Sequence, residues 1–199
     1  MSYKEFTDRP GMRALNEAKD FDYTDSWVIE DGNIRWVGYQ GGQESAFTKE
    51  NFGSFRLFVT MRITETVTPN STHLAVMIWG KRPAEGTYGS KGFVSIIPPN
   101  TWMWDYRRDC WIYAQKRYEH NLAQEEWHEV EILADIKRGH IRTAVDGLET
   151  IDYFYQHDLR DLVAGPIAFQ QHWDGIPEYK DIYIEVDPKD ADRLLTVKE

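Results

Sequence analysis

From Trp27 to Val186 the apolar residues recur at every second position, in short runs divided by Gly, Pro, Asn and Asp. Residues i and i+2 of an extended chain share a face, so this rhythm calls for strands that turn one side toward a core. The spacing predicts strands near 27–30, 33–38, 54–64, 73–79, 92–97, 101–105, 108–115, 128–136, 139–145, 165–172 and 181–186. Many short strands without intervening helical patterns predict an all-β fold, a two-sheet antiparallel jelly-roll sandwich. Asp31-Gly32 and Asp146-Gly147 carry turn chemistry, and Pro69-Asn70-Ser71 and Pro98-Pro99-Asn100 mark loops. Arg9 to Ala18 has the composition of a short helix, and the tail from Pro188 to Val197 that of a closing helical turn or two. The 199 residues are expected to form one domain, with the sandwich over about 27–186 and short extensions at both ends.

Each strand divides into two columns. In 73–79, Leu74, Val76 and Ile78 form an apolar column, and His73, Ala75, Met77 and Trp79 face the other way. In 107–115, Cys110, Ile112 and Ala114 read as core, opposite Arg107, Asp109, Trp111, Tyr113 and Gln115. In 165–172, Ile167 and Phe169 point inward while Ala168, Gln170 and His172 point away. In 55–63, Phe55, Leu57, Val59, Met61 and Ile63 are core, with Arg56, Phe58, Thr60 and Arg62 behind them. The second face of a sandwich strand is normally plain and solvated. Here several second faces combine Trp, Tyr, His, Gln and Arg. If those strands share a sheet, they make a ring platform with directional hydrogen-bonding groups, which suits the apolar faces and hydroxyl edges of a sugar. The same rings could instead lie beneath loops or in a homo-oligomer interface.

Composition narrows the partners. The chain has 8 Trp, 11 Tyr and 9 Phe, and a formal charge of −10 from 33 acidic and 23 basic residues. That balance is wrong for neutralising a phosphate backbone, so nucleic acid is not an expected partner. No apolar run reaches the roughly 20 residues that span a bilayer, so no membrane is expected either. The single cysteine, Cys110, excludes an internal disulfide and reads as a buried, inert thiol. The first residues lack the basic and apolar regions of a signal peptide, giving a cytoplasmic expectation. A small-molecule carbohydrate is the partner that the ring platform suits, and a homo-oligomer interface stays open beside it.

Several local patterns occur in a telling order: Trp27-Val-Ile-Glu-Asp31-Gly32-Asn-Ile, Asn51-Phe52, Phe55-Arg-Leu57-Phe-Val59, Pro69-Asn70-Ser71 and Glu126-Trp127-His128-Glu-Val130-Glu-Ile132. Val145-Asp146-Gly147 and Gly165-Pro166-Ile167-Ala-Phe169-Gln170-Gln-His172 follow. In this order the chain resembles the concanavalin A-like lectin/glucanase sandwiches and, within them, the 3-keto-disaccharide hydrolase-like domains. Thr72 stands where that family usually has glycine, and Gly92-Phe93-Val94 lacks its acidic residue. Tyr179-Lys180-Asp181-Ile182 replaces its aromatic-Arg-Asn-Ile run.

The resemblance implies cleavage of a glycoside oxidised to a ketone at C3. The carbonyl acidifies the C2 hydrogen, a base removes it, a donor stabilises the enolate, and the C1 substituent leaves by β-elimination before water adds. His172, which ends an outward column and coincides with the family's Gln-x-His ending, is the first candidate base; His73 is the second. Arg82, Arg107 and Gln170 are candidate enolate or hydroxyl contacts, each with an equally ordinary reading as a surface or ion-pairing group. Trp79, Trp111 and Tyr113 are candidate stacking residues, with Trp102 and Trp104 at the rim. His128 and Asp135 read as structural. The cofactor is unknown: a divalent metal is compatible with His120 or His157-Asp158, but no pair has the His-x-x-x-His spacing of a strong motif. A non-catalytic lectin and an interaction domain with a homodimer interface are the rival readings.

Overall fold

The computed structural model describes residues 2–39, 42–65, 74–97, 102–112, 125–173 and 175–198. Two antiparallel sheets form a sandwich. The first contains β1 (Met12–Ala14), β3 (Trp27–Glu30), β4 (Asn33–Trp36), β6 (Phe55–Thr64), β11 (His128–Asp135), β12 (His140–Val145), β13 (Leu148–Phe154) and β15 (Ile176–Val186). Its order is β13-β12-β11-β6-β15-β4-β3, with β1 also on β15. The second holds β2 (Phe21–Asp22), β5 (Gly42–Thr48), β7 (Ala75–Ile78), β8 (Val94–Ile97), β9 (Trp102–Asp105), β10 (Cys110–Ile112) and β14 (Ala168–Trp173), in the order β10-β9-β8-β7-β14-β5-β2.

The inward columns meet between the sheets. Leu57, Val59, Met61, Ile132 and Ile184 from the first sheet join Val76, Ile78, Ile96, Met103 and Phe169 from the second in one apolar cluster. Leu74, Ile112, Ile167 and Ile182, expected there from the alternation, are buried in it too. Tyr179 crosses this core: its hydroxyl donates to the carbonyls of Gln170 at 2.8 Å and Ala75 at 3.3 Å, and burial pushes its pKa far up. Both expected hairpins are present. Asp31 and Gly32 have φ of 48° and 75°, and Asp146 and Gly147 have 49° and 79°, the paired positive values of a two-residue I′ turn.

The two ends depart from expectation. Instead of a helix over 9–18 there is strand β1, registered Met12↔Glu185 to Ala14↔Tyr183, and a 3-10 turn at Ala18–Asp20. The cause is an unfilled edge: β4 pairs only with Glu178–Lys180 of β15, and β15 is irregular between Lys180 and Tyr183, where Asp181 has φ 50°. Open ladder groups on the remaining stretch outweigh local helix propensity. The tail after Asp187 forms a turn over 189–192 rather than a helix.

That tail and the N-terminal segment close the outer face of the first sheet. Tyr3 stacks on Phe58 with centroids 5.2 Å apart, and Leu195 joins them. Arg56 is fully buried beneath. Its Nε donates to Glu131 at 3.0 Å, Nη1 to Glu185 at 2.7 Å and Asp190 at 2.8 Å, and Nη2 to the carbonyls of Asp190 and Arg193. Glu131 in turn accepts from the backbone N–H of Leu195 and Thr196, each at 2.9 Å, and from the Thr196 hydroxyl at 2.8 Å.

Candidate functional site

The other outer face, on the second sheet, is built by the outward columns. Since Ala46, Val76, Ile78, Val94, Ile96, Met103, Ile112 and Phe169 point into the core, their neighbours Ser45, Met77, Ser95, Trp102, Trp104, Trp111, Ala168, Gln170 and His172 face outward. Register aligns them. One row runs from Phe47 through Ala168, Met77, Ser95 and Trp104 to Trp111, and the next contains Ser45, Gln170 and Ala75.

Three tryptophans cluster at the β10 edge. Trp111 is 47% exposed and lies 4.0 Å from Trp102 and 5.3 Å from Trp104, centroid to centroid. Tyr106 continues the strip, 6.4 Å from Trp104, and its hydroxyl accepts from Gln170 Nε2 at 3.4 Å. Ser45 lies directly across from Gln170 in the ladder. His172, half-buried, follows two residues along the same column of β14. The loop before β8 covers the middle of the first row, where Phe93 and Tyr88 pack over Phe47 with Met77 and Ala168.

This arrangement brings together Trp102, Trp104, Trp111, Gln170 and His172, but it excludes other expected members. Trp79 is a correction: it follows β7 with φ 59°, which breaks the alternation and turns its ring into the core, where Nε1 donates to the Gly53 carbonyl at 2.7 Å. Arg107 is another. It lies at the end of β9, pairing with Asp105 at 3.1 Å, donating to the carbonyls of Trp79 and Asp161, and sitting 5.1 Å over Tyr155. Arg82 lies beyond β2, bound to Asp22 at 2.7 Å and to the carbonyls of Thr48 and Lys49. There it lines a depression of about 490 Å³ with Tyr23, Phe47 and Tyr88. His73 and Tyr113 lie outside the described residues, as does His120. Cys110 is partly exposed rather than buried, because it opens a three-residue edge strand.

His128 and Asp135 have local partners. His128 Nδ1 pairs with Asp146 at 2.8 Å, and Asp135 accepts from the Lys137 N–H at 3.0 Å and pairs with Arg138 at 2.7 Å. Among the described residues, no group of three or more His, Cys, Asp or Glu is placed to hold a metal ion.

Ser45, Ser95 and Tyr106 were not singled out by the sequence. Ser95 was legible, since Val94, Ile96 and Ile97 define its column, whereas Ser45 required a strand over 42–48 that its Gln, Glu and Ser conceal.

Spacing sets the scale of the face. Three strand steps separate β14 from β9, or about 14 Å at the usual inter-strand distance. His172 and the tryptophan cluster therefore lie too far apart to grip one sugar ring together.

The family model for the 3-keto-alpha-glucoside-1,2-lyase-like domain matches residues 11–185. No curated protein sequence matches the chain. Among solved structures, the chain is similar to a candidate glycosyl hydrolase from Parabacteroides distasonis ATCC 8503, at 15% identity and TM-score 0.63, covering 88% of this chain and 98% of that one. It is similar to carbohydrate binding module CBM66 from Bacillus subtilis at 10% identity and TM-score 0.58, covering 80% and 90%. The exoplasmic/lumenal domain of VIP36 in its Ca2+/Man-bound form gives 10% identity and TM-score 0.57, covering 85% and 84%. At such identities these likenesses establish the sandwich fold of concanavalin A-like lectins and nothing finer.

Proposed function

The chain belongs to the 3-keto-alpha-glucoside-1,2-lyase-like domain family, and from that premise we propose that it cleaves a 3-keto-glycoside on the outer face of its second sheet. The observation that carries this reading is the unbroken strip from Trp111 through Trp102, Trp104 and Tyr106 to Gln170, with His172 next along the strand. Stacking rings at one end and a titratable imidazole at the other supply both needs of the reaction, a grip on the glycoside and a base.

A base must lie within hydrogen-bond reach of the proton it removes. The oxidised ring therefore sits over β14, and the group leaving from C1 extends toward the tryptophans. His172 takes the C2 proton, and the C2–H electrons form the enolate with the C3 carbonyl. Collapse of the enolate breaks the C1–O bond, and the leaving oxygen takes up a proton. The Gln170 amide, already donating to Tyr106, is the nearby donor for a developing oxyanion.

The test is release of the aglycone from 3-keto-sucrose. His172→Ala is expected to slow turnover by roughly 10²–10⁴-fold, the usual contribution of a positioned base, and to leave affinity nearly intact. Equal turnover by wild type and variant would remove His172 as the base. The separation of His172 from the tryptophans favours one second reading, a lectin-like face on which the rings alone hold the sugar; it requires saturable binding with no product.

A further inference from the structure

Three oxygen atoms on the outer face of the second sheet are buried with no hydrogen-bond partner among the described residues: Ser45 Oγ, Ser95 Oγ and Gln170 Oε1. Ser45 and Ser95 are each 1% exposed and Gln170 is fully buried. A buried polar atom left unpaired costs folding free energy, so native proteins keep few of them and tend to keep them where something else supplies the partner. These three are not scattered. Ser45 and Gln170 are direct cross-strand neighbours, one position before His172 on the outward column, and Ser95 is the direct neighbour of Trp104. Ser45 could have paired with Gln170, yet the Gln170 amide nitrogen goes to Tyr106 instead and its carbonyl oxygen is left over.

Resting on the carbohydrate reading above, we infer that Ser45 and Ser95 are specificity residues whose hydroxyls, with Gln170 Oε1, take up hydroxyl groups of the bound sugar. A serine hydroxyl both donates and accepts, and an amide oxygen accepts, so the Ser45–Gln170 pair suits two neighbouring hydroxyls that each need a partner. Ser95 offers one further contact under the ring held by Trp104. These atoms are buried, and the Tyr106 hydroxyl lies against the Gln170 amide. Binding therefore displaces the 3.4 Å contact between Tyr106 and Gln170. A site that reads hydroxyls with desolvated groups rejects ligands lacking them more strongly than an apolar platform can.

The test uses the different signs expected for stability and binding. In a His172→Ala background, which slows turnover, Ser45→Ala and Ser95→Ala are each made and titrated with 3-keto-sucrose by calorimetry. Each is expected to weaken binding about 3- to 10-fold, the worth of one ordinary hydrogen bond, while Tm stays level or rises because an unpaired buried hydroxyl has gone. Trp111→Ala in the same background reports on the platform alone. Unchanged affinity in both serine variants, with Trp111→Ala weakened, would overturn this inference and leave the platform standing. A fall in Tm would show that the hydroxyls serve the fold and would overturn it as well. No binding by the background protein would sink the functional reading and this inference with it.

Discussion

The two outer faces of the sandwich treat buried polarity in opposite ways. On the first sheet, Arg56 is as deeply buried as any leucine, and Glu185, Glu131, Asp190 and two backbone carbonyls take up its guanidinium. On the second sheet, Ser45, Ser95 and Gln170 are equally buried with oxygens that have no partner among the described residues, on a face whose β10 edge carries the nearly half-exposed indole of Trp111. Around Arg56 the chain's own carboxylates and carbonyls take up the buried polar group, because an orphaned charge there would be prohibitive. On the proposed sugar face three buried oxygens have no partner among the described residues. The contrast teaches that a buried charge is satisfied by the chain itself, while neutral hydroxyl and amide oxygens can be left for another molecule to satisfy.

The comparison breaks most easily at Arg56. Arg56→Ala removes the guanidinium from the buried Glu131 and leaves Glu185 with the more distant Arg9 at 3.8 Å, and is expected to cost about 3–5 kcal/mol in a urea or thermal melt. A cost under about 1 kcal/mol would mean that the first face is not held by its network. Trp111→Ala sharpens the other half. It should change stability little, yet raise KM for 3-keto-sucrose about ten-fold with kcat less affected, as expected for stacking equal in ground and transition states. An equal fall in kcat and kcat/KM would place Trp111 in the chemistry instead. The smallest effect is the pH response of the tail. Burial pushes the Asp190 pKa up, but hydrogen bonds and charge from Arg56 and Arg9 outweigh it and hold the carboxyl below its ordinary value of 3.8. A depressed folded value contributes stability that is present above the unfolded pKa and lost as pH falls through the folded one. Hydrogen exchange at Leu195 and Thr196 should therefore loosen below pH 3.8, ahead of the second face.

The alternation alone makes most of the sandwich legible. Strands with bulky inward columns, such as Leu57, Val59 and Met61 in β6, could hardly fold otherwise. What escaped had weak columns: β5 sets Ser45 and Phe47 against Ala46, and β13 interrupts its pattern with Glu149 and Asp152. Strand β1 exists only because β15 offers an edge, which no local signal in Met12-Arg-Ala conveys. The site followed the same logic. Period two alone puts Trp111, Gln170 and His172 on outward columns, whereas one left-handed residue takes Trp79 off its column. Strand order was illegible, so the separation of His172 from the tryptophans could be known only once β7 and β8 were seen between β14 and β9.

That strand order also sets when the face comes into being. Strand β14 lies between β5 and β7, pairing Ala168 with Phe47 on one side and Met77 on the other, so its neighbours are made long before it is. As the chain leaves the ribosome, the hairpins from β7 to β10 can zip up early, while the outer face of the second sheet must wait until Trp173 has emerged. Pairings across such sequence distances are slow to close, typically milliseconds to seconds in β-rich folds. During that interval the edges of β5 and β7 are open to other strands. The newborn chain is thus open to mispairing at the proposed ligand face, as it is between β6 and β4 until β15 arrives.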